Sequence, residues 1–176
     1  MLKLLGAVLV VFACGSLGRL VAMGLNARKQ ELRAFRYASS ALETEIAYGL
    51  IPLPQALLRA SEEAGGGVGK LLGQTSAALS VSTGENAAQI WQHKLQKNIT
   101  KLPLASEDFA LLHKFGMGLG ESDGEDQLRR LKLLNLELKA REDKAAEMAA
   151  QMGKIWQSLG KVTFMPERNF LQCCHG

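Results

Sequence analysis

The residues of this chain that could do chemistry are few, and they do not converge. His93 and His113 fall in separate helical stretches among polar neighbours, which suits surface imidazoles better than a proton-transfer pair. Cys173, Cys174 and His175 are soft metal ligands, but adjacent cysteines lack the spacing of a structural zinc site. Gly65, Gly66, Gly67 and Gly69 ahead of Lys70 have the composition of a phosphate cradle. No strand precedes them and no Lys-Ser or Lys-Thr pair closes them, so they read as a linker. No nucleophile, base and oxyanion donor can be assembled, so the residues point away from an enzyme and ask for no cofactor and no metal.

The carboxylates offer more. Glu43 and Glu45 fall two apart, on different faces of one helix, while Glu121, Asp123, Glu125 and Asp126 crowd the start of another. Negative charge there complements the positive end of a helix dipole. The same rim could receive Lys and Arg from a partner protein, and it lacks the ligand spacing of a calcium loop.

The elements holding these groups begin with a greasy leader. Residues 4 to 18 carry no charge, and after Arg19 the apolar character resumes through Leu20, Val21, Ala22, Met23 and Leu25. A bilayer core of about 30 Å takes roughly 20 helical residues. Residues 1–26 are therefore expected to be a transmembrane anchor, with Leu4, Leu5, Gly6, Val10, Val11 and Leu17 inside it. Lys3 precedes the run, whereas Arg28, Lys29, Arg33 and Arg36 follow it. That bias predicts a single-pass protein of the cell membrane with its body on the cytoplasmic side. An alternative is an exported helical lipoprotein, held at Cys14 and acting as a binding module, because Val11-Phe12-Ala13-Cys14 loosely resembles a lipoprotein cleavage box. The bulk of Phe12 and the apolar continuation to Leu25 favour the uncleaved anchor.

The 176 residues allow one domain beyond the anchor, with 47% apolar, 22% charged and 6% aromatic residues, a mixture that favours helices. The net charge of +4 is partly the cluster beside the leader, so it is not a nucleic-acid footprint. Three cysteines make no disulfide framework.

Leu32, Phe35, Ala38, Leu42 and Ile46 recur at helical steps and predict an amphipathic helix over 26–48, ended by Gly49 and the Pro52-Leu53-Pro54 corner. Leu57, Leu58 and Ala60 mark a second helix, and Val68, Leu71, Leu72, Thr75, Ala78 and Leu79 a third. After Ser82-Thr83-Gly84 comes a fourth with Ala87, Ala88, Ile90, Trp91 and Leu95. Beyond Pro103, Ser106 is the expected N-cap of a fifth, whose stripe is Phe109, Leu112, Phe115 and Leu119 and whose end Gly116, Gly118 and Gly120 loosen. Ser122 and Glu125 have capping-box spacing. A long helix then carries Leu128, Leu131, Leu134, Leu138, Ala145, Met148, Met152, Ile155 and Leu159, broken only by Glu142. Such a seam packs along a partner helix. The reading is all-α: an anchor, a cytoplasmic bundle of five or six helices over 27–160, and an irregular tail over 161–176.

Several segments in order carry a resemblance: Lys3-Leu4-Leu5-Gly6, Leu42-Glu43-Thr44-Glu45-Ile46, Pro52-Leu53-Pro54-Gln55-Ala56, Phe115-Gly116, Leu119-Gly120-Glu121-Ser122-Asp123 with Gln127, Trp91, and Ser158-Leu159-Gly160. The chain resembles the stage III sporulation protein AB family of endospore-forming bacteria over about residues 1 to 160. The resemblance implies a membrane platform or scaffold in the channel between mother cell and forespore, similar to the F-type platform proteins of type II secretion. It implies as partners the membrane, a stage III sporulation protein AA-type ATPase and other channel components, with self-association as a further contact and no nucleic acid. Candidate partner-binding residues on this reading are Glu43, Glu45, Pro52, Gly120, Glu121, Asp123 and Gln127. The family's second apolar span after Leu-Gly is replaced here by Lys161, Pro166, Glu167 and Arg168, which is the expectation for a truncated or frame-shifted copy.

Overall fold

The computed structural model describes residues 2–48, 51–81, 86–120 and 124–163, and the side chains within them at 15, 16 and from 18 to 154. Six helices account for the described chain: α1 Leu2–Tyr48, α2 Leu53–Ala64, α3 Gly66–Val81, α4 Ala87–Asn98, α5 Ser106–Met117 and α6 Gly124–Thr163. No strand occurs among the described residues. The expected leader and the amphipathic stretch behind it form one continuous helix, because neither a proline nor a cap falls between Leu2 and Tyr48. At the other end α6 runs to Thr163, three residues into the expected tail. Residues 164–176 lie outside the described ones.

Helices α1 and α6 are the spine. Glu43 accepts from Asn135 Nδ2 at 3.0 Å, and one heptad earlier in α1 Arg36 donates to Glu142, one heptad later in α6, at 2.9 Å. Equal steps in opposite directions define an antiparallel pair in register. Leu32, Phe35, Ala38 and Leu42 of α1 share one core with Leu131, Leu134, Leu138 and Ala145 of α6. The interruption of the seam at Glu142 thus has a cause: it is the acceptor for Arg36, with Arg33 at 3.8 Å.

Helices α2 to α5 close over one end of this pair. Pro52 caps α2, its carbonyl accepting from the N–H groups of Gln55 and Ala56. Ala56, Leu57 and Ala60 of α2 meet Val68, Leu71 and Leu72 of α3 in the same core. The glycine run read as a linker proves more specific. Gly65 and Gly66 have φ of +63° and +58° and make the turn, but the third helix starts at Gly66. A Cβ on Gly69 would stand 2.7 Å from the Ser61 carbonyl oxygen, so this glycine lets α3 approach α2. Glu31, from α1, places its carboxylate at the N-terminus of α3 and accepts from Gly67 N–H at 3.0 Å and Val68 N–H at 2.9 Å. The anion position of that helix is filled from within, which is the physical reason the run is no phosphate cradle. Glu31→Ala is expected to cost about 1–2 kcal/mol, read as a lower urea midpoint, with Glu31→Gln recovering part of it.

Asn86 caps α4, accepting from Ala88 N–H at 3.0 Å. The expected N-cap Ser106 is instead the first residue of α5; Ala105 is the cap, and Asp108 reaches back to accept from Ala105 N–H at 2.9 Å. Gly116 does not loosen α5 but lies inside it, buried against Trp91. Fully buried Trp91 donates from Nε1 to the Leu112 carbonyl at 2.9 Å and meets Phe115 edge-on at 5.1 Å between ring centroids. Phe35 completes the trio, edge-on to Phe115 at 5.4 Å.

Candidate functional site

Two of the carboxylates that sequence reasoning assigned to a partner, Glu43 and Glu45, are used inside the fold. Glu43 holds Asn135, and Glu45 accepts from Arg59 at 2.9 Å, tying the end of α1 to α2. Pro52 is exposed at the corner. Gly120 is exposed with φ of +82°, a conformation that glycine adopts without strain. Glu121 and Asp123, and Ser122 of the expected capping box, lie outside the described residues. Leu4, Leu5, Gly6, Val10, Val11 and Leu17 all fall in α1, but their side chains lie outside the described ones. Among the residues described in full, no helix is long and apolar enough to cross a membrane.

Gln127 leads to the feature that sequence reasoning missed, a groove of about 440 Å³ beside the start of α6. Leu111, Phe115 and Leu119 form one wall, at successive turns from α5 onward, and Leu131, Leu133 and Leu134 of α6 the other. Leu42 and Ile46 of α1 and Leu53 of α2 complete the lining. Its volume lies within the roughly 300–1,000 Å³ of ordinary ligand clefts. Cations stand around it: Lys114 lies 3.7 Å from Glu137, and Arg129 and Arg130 share Asp126 at 2.8 and 3.4 Å. Leu133 is 56% exposed and Leu136 66% exposed, large apolar side chains left in water by a helix whose Leu131, Leu134 and Leu138 are buried. The sequence signal was there, since Leu133 and Leu136 lie off the seam.

Beneath the groove, the fully buried Asp108 fastens α5 to the spine. It accepts from Arg28 Nε at 2.7 Å and Nη2 at 3.0 Å, and from Arg141 Nη1 at 3.2 Å. Burial pushes the Asp108 carboxyl up, but the Arg28 guanidinium, the Ala105 N–H and Arg141 together outweigh it and hold the group below the usual carboxylate range. The hydrogen bond to Asp108 in turn raises Arg28 despite its own desolvation. This cluster satisfies itself and leaves no group poised for proton transfer. Among the described residues no three His, Cys, Asp or Glu side chains gather to hold a metal ion.

Fold and site together define an all-helical protein built on a long antiparallel pair, with a four-helix head and an apolar groove beside it. The chain belongs to the stage III sporulation protein AB family, whose model matches residues 3–163. It is 33% identical over 160 residues to stage III sporulation protein AB of Bacillus subtilis strain 168, covering 91% of this chain and 93% of that relative. A solved structure of stage III sporulation protein AB superposes with a TM-score of 0.65 at 29% identity, over 70% of this chain and 97% of that one. The resemblance carried by the scattered segments is thereby shown, and with it a place in sporulation.

Proposed function

We propose that this chain is a non-catalytic platform protein of the channel between mother cell and forespore, anchored in the cell membrane through residues 1–26 and engaging a secretion-type ATPase from the cytoplasmic side. The observation that carries the reading is the register of the spine. Continuing the pairing of Glu43 with Asn135 and Arg36 with Glu142 sets Met152 opposite Asn26, so α6 comes level with the end of the expected anchor at the same end of the spine from which α1 leaves it. The head of α2 to α5 then projects away from the bilayer, where a motor protein can reach it. The basic residues Arg28, Lys29, Arg33 and Arg36 support the cytoplasmic orientation. Protease added to intact cells is expected to leave the body whole, and the AA-type ATPase is expected to co-purify from detergent extracts of sporulating cells. Digestion from outside, or extracts in which the ATPase never accompanies the chain, would sink the reading.

A further inference from the structure

We infer that the outward face of α6 is where two copies of this chain meet, side by side and pointing the same way. Leu133, Leu136 and Ala140 follow one another at steps of three and four, and all three are exposed, Leu136 by 66%. The buried seam of Leu131, Leu134 and Leu138 has the same steps, but these residues lie on the side of the helix turned away from α1. A second ridge at coiled-coil spacing is what a helix presents to another helix. Leu136 and Ala140 stand outside the lining of the groove, so the ridge is a separate surface.

The flanking charges select the occupant and its direction. In a parallel pair Lys132 stands beside Glu137 of the second copy and Glu125 beside its Arg130, each pairing made again across the two-fold axis. Glu137 meets Lys114 through Oε1 at 3.7 Å, which leaves Oε2 for a second cation. An antiparallel pair with Leu136 over Ala140 would instead set Glu137 against Glu137 and Lys139 against Lys139. The contact is also bounded. Beyond Ala140, Asp143 would meet its own copy and Lys139 would face Lys144, so like charges end it there.

The proposal rests on the anchored reading, which holds all copies parallel in one membrane. Two leucines and an alanine from each copy cover far less than the roughly 1,200 Å² of a stable interface. The pair therefore forms where anchors confine the copies and raise their effective concentration, and it comes apart in dilute detergent.

The test is disulfide trapping of the full chain in membranes of sporulating cells, in a background with Cys14→Ser, Cys173→Ser and Cys174→Ser. Leu136→Cys and Ala140→Cys are each expected to give, on mild oxidation, at least ten times the covalent dimer of Leu58→Cys, an equally accessible position on α2. Lys132→Glu and Glu137→Lys are each expected to lower the yield from Leu136→Cys at least fivefold, and the two together to restore it. A membrane-bound chain that gives no dimer, gives as much from Leu58→Cys, or is not rescued by the charge exchange overturns the proposal alone. Recovery of the chain in the soluble fraction overturns the anchored reading, and the proposal with it. Circular dichroism of each purified variant in detergent checks that it is folded.

Discussion

Asp108→Ala is expected to lower the unfolding free energy by about 3 kcal/mol, the largest loss from any single charged residue described. The size follows from what is left behind. Asp108 is fully buried and accepts from two guanidiniums and a backbone N–H, so its removal strands Arg28 and Arg141 in a half-buried position and unties the start of α5. The arginines keep some access to water, which holds the cost toward the lower end of the range for broken buried pairs. Asp108→Asn keeps the shape and an acceptor for Ala105, and is expected to lose about half as much. Denaturant midpoints of the chain in detergent measure both. The pH dependence has a definite sign. A carboxyl held below its unfolded value near 4 contributes stability that is fully present above that value and is lost as pH falls through its folded value. The gap between the natural chain and Asp108→Asn should therefore close on acidification below about pH 4. Arg28, being raised, contributes at every pH below the ordinary arginine range and adds no acid limb.

The second large effect is expected at Gly116. A Cβ there would overlap Trp91 Cδ1 and stand 2.6 Å from Cγ, inside the wall of a ring that has no free side. Gly116→Ala should cost about 2–3 kcal/mol through overpacking, although alanine favours a helix, because Trp91 must shift and forfeit its bond to Leu112. In a Trp156→Phe background Trp91 is the single tryptophan, and its selectively excited emission should move to longer wavelength. Gly118 makes the control. Its φ is −88°, and a Cβ would find Arg130 at an ordinary 3.4 Å, so Gly118→Ala should be neutral or stabilising by up to about 1 kcal/mol. Equal losses at both positions would show that helix fraying rather than contact with Trp91 sets the cost.

These two sites mark the limit of what the chain reveals when read in a line. Helices with their three- and four-residue stripes were legible, because Leu32 to Ile46 and the leucine seam of α6 declare their faces locally, and Pro52 and Pro54 announce a corner. That the long seam packs along a partner helix was legible for the same reason, but the antiparallel register with α1 was not. What each polar residue does was not, since the partners are distant: Arg28 is 80 residues from Asp108, and Glu31 is 36 from Gly67. Glu43 and Glu45 looked available for a partner because nothing local competes for them; Asn135 and Arg59 do so only after folding. Gly116 illustrates the converse error. A glycine near other glycines reads as loosening, while here its missing side chain is the space an indole occupies. The groove, finally, depends on the α5 ridge standing apart from the first turns of α6, a matter of how two helices are set that no spacing within either one reports.

A pair of α-helices locked in register resists bending and sliding far more than either alone, so the spine behaves as a rod. The ion pairs of Asp108 with Arg28 and Arg141 and of Arg59 with Glu45 clamp the head to it at two levels. A load on the head is consequently expected to tilt α1 and α6 together along their paired length rather than to be absorbed as local flexing.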